Sequence, residues 1–337
     1  MILYDPDPRP PLSEYGIAIP IAPDASQQAL ANLGKDPKVS ELLEESLAAR
    51  ADIQITASDL KRVHSEAYVQ RLYSAATVEK ELERTYELLD SEGNYHRYDP
   101  TQAKRPLREL FDYALATVAG SYQCCLEALE HSSCFYLGGG MHHAKQDTGD
   151  GFCPVNDVVL AARKIQAEQP AAHIWILDLD VHKGDGTAAL TAGDESICTL
   201  SIHMARGWPL DRDTYRPDGT LHPSHIPSDV DIPIEPGAED VYLPNLAWGL
   251  EQLDGFSRPD LAIVLYGADP YEKDRLPSAA GINLTLDQMF ERDRLVYRFL
   301  RERSIPRAYL RSGGYGIDAA EPLTQFLRWY LLEENGR

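Results

Sequence analysis

The chain has 337 residues, 43% hydrophobic and 25% charged, with 53 Asp and Glu against 32 Lys and Arg and a formal net charge of −21. This balance supports a globular core and excludes general affinity for nucleic acid, which needs a basic surface. It is compatible with a cationic substrate, although net charge speaks first to solubility.

From about residue 110 the apolar pattern alternates between helical and strand periods. Helices are expected at Phe111–Leu129, Val155–Gln166, near Ala188, and at Val241–Leu253, Leu286–Arg303 and Pro322–Leu332. Strands are expected at Cys134–Leu137, His173–Leu177, Ile197–Ile202, Leu261–Leu265 and Arg307–Leu310. Such alternation implies an α/β fold, a mostly parallel sheet with helices on both faces, here read as one domain over residues 1–337. Two stretches fit poorly. Ser91–Pro106 is polar, and Met204–Pro236 is rich in Pro and Asp without convincing periodicity; loops of this length are often functional. The five cysteines, Cys124, Cys125, Cys134, Cys153 and Cys198, include no C-x-x-C pair, which argues against a disulfide framework and a cysteine zinc site. Met1–Asp7 lacks a signal-peptide pattern, and no stretch reaches transmembrane length, so a cytoplasmic location without a membrane partner is expected.

The chemistry collects after the expected strands. Asp178-Leu179-Asp180-Val181-His182 follows the His173–Leu177 run, and an extended backbone projects Asp178, Asp180 and His182 to one side. Paired buried carboxylates need a cation, and Asp with His suits a divalent metal such as zinc. The other expected strands lead into Gly138-Gly139-Gly140-Met141-His142-His143, Ser201-Ile202-His203, Tyr266-Gly267-Ala268-Asp269 and Ser312-Gly313-Gly314-Tyr315. In open parallel sheets, ligands bind beyond these carboxyl ends. Asp180, His182 and Asp269 form a three-ligand set with an open position for water and substrate. His142 and His143 are candidate proton carriers, with Asp178 and Asp185 as their orienting acceptors. Tyr315 is a candidate oxyanion donor, and Gly313 and Gly314 let backbone approach the substrate.

Gly-Gly-Gly-Met-His-His-Ala at 138–144, Gly151-Phe152-Cys153-x-x-Asn156-Asp157, and Asp-x-Asp-x-His-x-Gly-Asp-Gly-Thr at 178–187 resemble the histone deacetylase superfamily, over roughly residues 60–320. That superfamily includes bacterial deacetylase-like amidohydrolases and acetylpolyamine amidohydrolases. Leu60–Tyr73 resembles its early helical region. The resemblance implies an arginase/deacetylase-like fold, zinc at Asp180, His182 and Asp269, and catalytic roles for His142, His143, Asp178, Asp185 and Tyr315. It implies a structural potassium ion near Asp178, Ser201 and Ile202, shared with the backbone of Asp180 and His182. Gly151 and Phe152 look like one wall of an acyl-lysine channel, Leu276 like an apolar channel position, and Asp99 like the rim aspartate that holds the substrate backbone. Trp208 offers the second aromatic wall. Ser312 departs from the family, standing where a further glycine is common.

The expected activity is therefore zinc-dependent hydrolysis of an acyl amide on an amine, most simply acetyl-lysine, with acetylpolyamine hydrolysis as the alternative. A two-manganese arginase-like hydrolase would need more carboxylates. A non-catalytic acyl-lysine reader would show loss of a ligand, a tandem histidine or Tyr315, and none is lost.

Overall fold

The computed structural model describes residues 1–19 and 25–336. Eight strands form one sheet: β1 Ile2–Tyr4, β2 Leu47–Ala49, β3 Ser133–Tyr136, β4 Ile174–Asp178, β5 Ile197–Met204, β6 Val230–Ile234, β7 Leu261–Tyr266 and β8 Arg307–Arg311. Their order is β2-β1-β3-β8-β7-β4-β5-β6, and every pairing is parallel. The carboxyl ends of β3, β8, β7, β4 and β5 therefore share one edge, as the motif positions required.

The central strands are buried on both faces, which explains their unbroken apolar runs. Trp175, Leu177, Ala262 and Val264 join a core on one side of the sheet, while Ile174, Ile176, Ile263 and Leu265 join the core on the other. Helices cover both. The long helix Glu109–His131 and helix Asp157–Glu168 carry residues of the second core, and helices Tyr242–Leu253, Leu286–Glu302 and Ala320–Glu334 those of the first. A third core joins the first half of helix Glu109–His131 to N-terminal helices Glu66–Tyr73 and Val78–Thr85.

The expected helices and strands are present with ends moved by at most two residues. Caps account for some of the movement. Asn156 accepts from Val159 N at 3.0 Å, so the helix expected from Val155 starts at Asp157. A Thr285/Gln288 capping box starts helix Leu286–Glu302. The expected helical region at Leu60–Tyr73 is two helices, Ala57–Leu60 and Glu66–Tyr73, the second started by Ser65.

Three strands escape the sequence reading. β1 and β2 are three residues each, too short to show a period. β6 lies inside Met204–Pro236, masked by Asp231 and Pro233; it is an edge strand, where a proline costs no shared ladder bond. No helix among the described residues is long and apolar enough to cross a membrane.

Candidate active site

The loop after β3 is pinned before it delivers its histidines. Asp157, fully buried, accepts from Gly140 N at 3.1 Å, Met141 N at 2.6 Å and the Ser121 hydroxyl. Asn156 Nδ2 donates to the carbonyls of His142 and Ala144 at 3.3 and 3.4 Å. His142 and His143 then lie with ring centroids 3.9 Å apart. Each is tied through Nδ1 to its own carboxylate: His142 to Asp178 at 2.6 Å and His143 to Asp185 at 2.8 Å. A Cβ on Gly184 would stand 2.2 Å from Asp178 Oδ2, so the first pair needs glycine there.

Asp180, His182 and Asp269 bring one donor atom each within 4.8 Å of one another, all three buried. His182 Nδ1 is 3.1 Å from Asp180 Oδ1 and 3.3 Å from Asp269 Oδ2. Asp180 Oδ2 accepts from Gly313 N at 2.8 Å, and Asp269 Oδ1 from Val181 N at 3.1 Å. Asp269 Oδ2 is buried without a hydrogen-bond donor. A Cβ on Gly313 would come within 2.1 Å of that oxygen and 2.6 Å of Asp180 Oδ2. An orphan carboxylate oxygen, a second carboxylate and an imidazole nitrogen, in a cradle kept open by glycine, fit a divalent cation of the zinc type.

The electrostatics point the same way. Burial opposes charge on His182, but Asp180 and Asp269 outweigh it and push the ring up to about 10. Burial and the Asp180 charge push Asp269 up to about 7. Without a cation the cluster thus holds protons in its place. Burial likewise opposes a charged His142, but Asp178 and Asp180 push it up to about 9. His143 moves the other way, to about 3, through burial and the neighbouring His142 charge.

Asp185 explains part of that split. Burial disfavours its charge, yet the Lys145 ammonium, 2.7 Å from Oδ2, and the His143 ring hold it well below the usual range. The Ser224 hydroxyl donates to the same oxygen at 2.6 Å. Lys145 also meets Asp150 at 2.8 Å, and Asp150 is gripped by Arg212. Asp178 has no ion pair with a Lys or Arg among the described residues.

A cavity of about 430 Å³ leads to this cluster, lined by Phe152, Trp208, Leu276 and Tyr315 with Glu87 and Arg97 at its mouth. Trp208 meets His143 edge-on at 4.4 Å and His182 at 5.5 Å. A Cβ on Gly151 would strike the Trp208 ring at 2.2 Å. Phe152 sits at φ 65°, which turns it onto the cavity wall. The Tyr315 ring is 6.4 Å from that of His182, its backbone N–H bound to Asp274 Oδ2 at 2.8 Å. Burial and the charges of Asp180 and Asp269 hold its phenol well above the usual range, so it is a neutral donor. Gly314, at φ 128°, stands one residue before it. A second cavity of about 260 Å³ shares His143, Gly151, Phe152 and Tyr315 with the first and is also lined by His142 and Asp180.

The structure thus gathers Gly151, Phe152, Trp208, Leu276, Gly313 and Gly314 around the histidines and the three-residue cluster. Ser201 pairs with Asp178 across the β4–β5 register, with Ile202 next in the strand, so the residues expected around a monovalent ion are neighbours. Asp99 lies elsewhere. It is exposed, its carboxylate accepts from Thr101 N at 2.9 Å and Thr101 Oγ1 at 2.6 Å, and it is absent from the cavity lining. Glu87 is the acidic residue among the lining residues of that cavity.

Several contributors had no role in the sequence reading. Asn156 and Asp157 stood inside a quoted motif, and Lys145 two residues beyond His143. Arg292 gave no local signal. Fully buried, its Nη1 donates to Gly267 O at 2.8 Å and Leu179 O at 3.2 Å, tying together the segments that carry Asp269 and Asp180.

The histone deacetylase domain profile matches residues 20–328. The chain belongs to the histone deacetylase family. Within this family it is 36% identical to an uncharacterized protein of Picosynechococcus sp. over 202 residues, 60% of this chain and 62% of that protein. It is 28% identical to histone deacetylase 2 of Arabidopsis thaliana over 277 residues, 82% of this chain and 66% of that one. To the acetoin utilization protein AcuC of Staphylococcus aureus it is 25% identical over 248 residues, 70% and 58% of the two chains. These matches span less than two thirds of each relative's length. A solved structure of a histone deacetylase homologue from Aquifex aeolicus shares the fold, with a TM-score of 0.69 at 19% identity over 100% of this chain and 84% of that one.

Proposed function

We propose that this histone deacetylase family member is a zinc-dependent deacylase that hydrolyses the amide of an acylated amine, most simply acetyl-lysine. One observation carries the reading: a buried three-donor cluster lies with two histidine–aspartate pairs and a neutral tyrosine along two cavities that share His143 and Tyr315.

Asp180, His182 and Asp269 would hold the zinc, which when bound polarises a carbonyl and lowers the pKa of a water to about 7. The His143 Nδ1–H is committed to Asp185, so Nε2 is left as the acceptor that takes the attacking water's proton. His142, held positive between Asp178 and Asp180, stabilises developing negative charge. The Tyr315 hydroxyl donates to the carbonyl oxygen as it becomes an oxyanion, a contact worth ~3–4 kcal/mol. His143 returns the proton to the leaving nitrogen, and the amine departs. Phe152 and Trp208 exclude bulk water from the acyl arm, strengthening these interactions. The proposal includes a structural potassium ion at Asp178, Ser201 and Ile202, which would stiffen the β4–β5 ends.

The test is hydrolysis by zinc-loaded protein across acyl-lysine peptides, acylated polyamines and small amides, with chelation and zinc add-back. Turnover that follows zinc supports the reading; a fully zinc-loaded protein inert on every member rejects it. The net charge of −21 also suits a polycation, so acetylspermidine against acetyl-lysine peptide, compared as kcat/KM, separates the two substrate classes.

A further inference from the structure

The mouth of the acyl cavity opens onto a second space. Glu87 and Arg97 line both the 430 Å³ cavity and an adjoining basin of about 860 Å³. One wall of the basin is Lys80, Glu83 and Arg84 on helix Val78–Thr85, followed by Glu87. The lining also takes His96 and Arg97 from the Ser91–Pro106 stretch and Arg212 from the Met204–Pro236 stretch. The two loops that the sequence left without a role therefore meet here.

Most charges in the basin are already engaged. Arg212 is bound to Asp150, Arg84 to Glu81, and Glu83 accepts from the Tyr95 hydroxyl at 3.2 Å. Lys80 and Arg97 have no ion pair among the described residues, and the Glu87 carboxylate has neither an ion pair nor a hydrogen bond. Burial and the nearby Asp150 charge hold Glu87 above the usual carboxylate range, against the opposing pull of the Arg212 and Arg97 charges.

The backbone adds an independent observation. Glu87 has φ 53° and Arg97 φ 57°. Glu87 directly follows the cap of helix Val78–Thr85, a place where glycine is the usual left-handed residue. A non-glycine residue there costs ~1–2 kcal/mol. With Phe152 at φ 65°, three of the five left-handed non-glycine residues among the described residues line this one cavity. Strain of this kind concentrates where a side chain must be aimed.

We propose that this basin reads the amine-bearing half of the substrate, and that this half carries a carboxylate held by Arg97 with Lys80. Resting on the deacylase reading, this narrows the substrate to an acylated side-chain amine of an amino acid or acidic peptide, as opposed to a polyamine, which brings no anion. A free amino acid presents such a carboxylate on its α-carbon, and an acidic peptide presents one on a side chain.

The test compares kcat/KM for free Nε-acetyl-lysine, its carboxamide and N-acetylcadaverine, and for end-blocked acetyl-lysine tripeptides flanked by Asp or Ala. Wild type should favour a carboxylate-bearing probe over its neutral counterpart by about tenfold or more, the scale of one charge-assisted hydrogen bond. Preference for the free amino acid assigns the carboxylate to the substrate's own main chain; preference for the Asp-flanked peptide assigns it to a side chain. Arg97→Gln should bring the ratio to about one, mainly through KM, and raised salt should shrink it in wild type. Calorimetry of lysine against cadaverine with both proteins reads the basin without turnover. Arg97-dependent lysine binding in a protein inert on all acyl probes would reject the deacylase reading and keep the basin. Equal kcat/KM within both probe sets, a preference that survives Arg97→Gln, or lysine binding no tighter than cadaverine would overturn the basin's role.

Discussion

The two tandem histidines share a loop and touch each other, yet their carboxylates keep different company. Asp178, at the end of β4, faces His142 with a further carboxylate, Asp180, close by and no ion pair with a Lys or Arg among the described residues. Asp185, in the first turn of helix Asp185–Thr191, faces His143 while Lys145 and Ser224 bind its other oxygen. A carboxylate already neutralised stabilises an imidazolium less. Burial then prevails at His143, and attraction to carboxylates prevails at His142. The two histidines of one motif thus shift in opposite directions, His143 down through burial and the His142 charge, with Lys145 neutralising the carboxylate that would oppose it. Lys145 also reaches Asp150 and through it Arg212, whose guanidinium lies 5.6 Å over the Trp208 ring. The His143 half of the site is therefore joined to the channel wall.

The sharpest way to separate the two halves is to remove each ring. His143→Ala should lower kcat by about 10³-fold, within the range of proton-transfer catalysis, with zinc still bound. His142→Ala should cost about tenfold less, since it removes charge stabilisation while the proton carrier stays. Equal losses, with zinc content measured in each variant, would break the assignment. Tyr315→Phe should lower kcat by about 10²–10³-fold, again with zinc retained.

Lys145→Met tests what divides the pairs. It leaves buried carboxylates short of a cation and should cost about 3–5 kcal/mol of stability in denaturant unfolding. In the fraction that folds, Asp185 regains its full pull on His143. The ring then loses its proton only at higher pH, so the acid limb of kcat/KM moves upward. An unmoved limb would show that Lys145 does not set the difference.

The metal cluster holds protons of its own. With His182 near 10 and Asp269 near 7 in the cation-free protein, zinc must displace bound protons. About one proton per zinc should leave between pH 7 and 10, rising toward two below pH 7, so apparent affinity falls as pH falls. Calorimetry in buffers of different ionisation enthalpy counts those protons.

The smallest expected effect concerns His64, which braces the loop from behind. Its ring donates from Nδ1 to Lys145 O at 2.8 Å and accepts Asn156 N–H at Nε2 at 3.1 Å. Burial holds it down to about 4. The folded state therefore refuses a proton that the unfolded chain accepts below about 6.5. This part of the stability is complete above that pH and is lost as pH falls toward 4, about 3 kcal/mol in all. His64→Gln should flatten the fall in denaturant stability across that window.

Much of the candidate site was legible because it is built from short-range rules. The i, i+2, i+4 alternation of Asp178, Asp180 and His182 follows from an extended chain, and the positions of Asp269 and Tyr315 follow from where ligands collect on a parallel sheet. What was not legible depends on distant partners. Arg292 lies 113 residues from Leu179, whose carbonyl it holds. Ser224 and Arg212 reach Asp185 and Asp150 from a stretch with no readable period. Asp99 shows the converse: a motif-like context placed it at the rim, but its carboxylate is satisfied locally by Thr101.

By itself the sequence determined the alternating strands and helices and the set of reactive residues at their carboxyl ends, because apolar periodicity and strand geometry act over a few residues. Only the tertiary structure decided which carboxylate is neutralised by Lys145, which loops form the mouth, and that Glu87 and Arg97, not Asp99, stand there. Those outcomes depend on burial and on contacts between segments far apart in the chain, which no local pattern encodes.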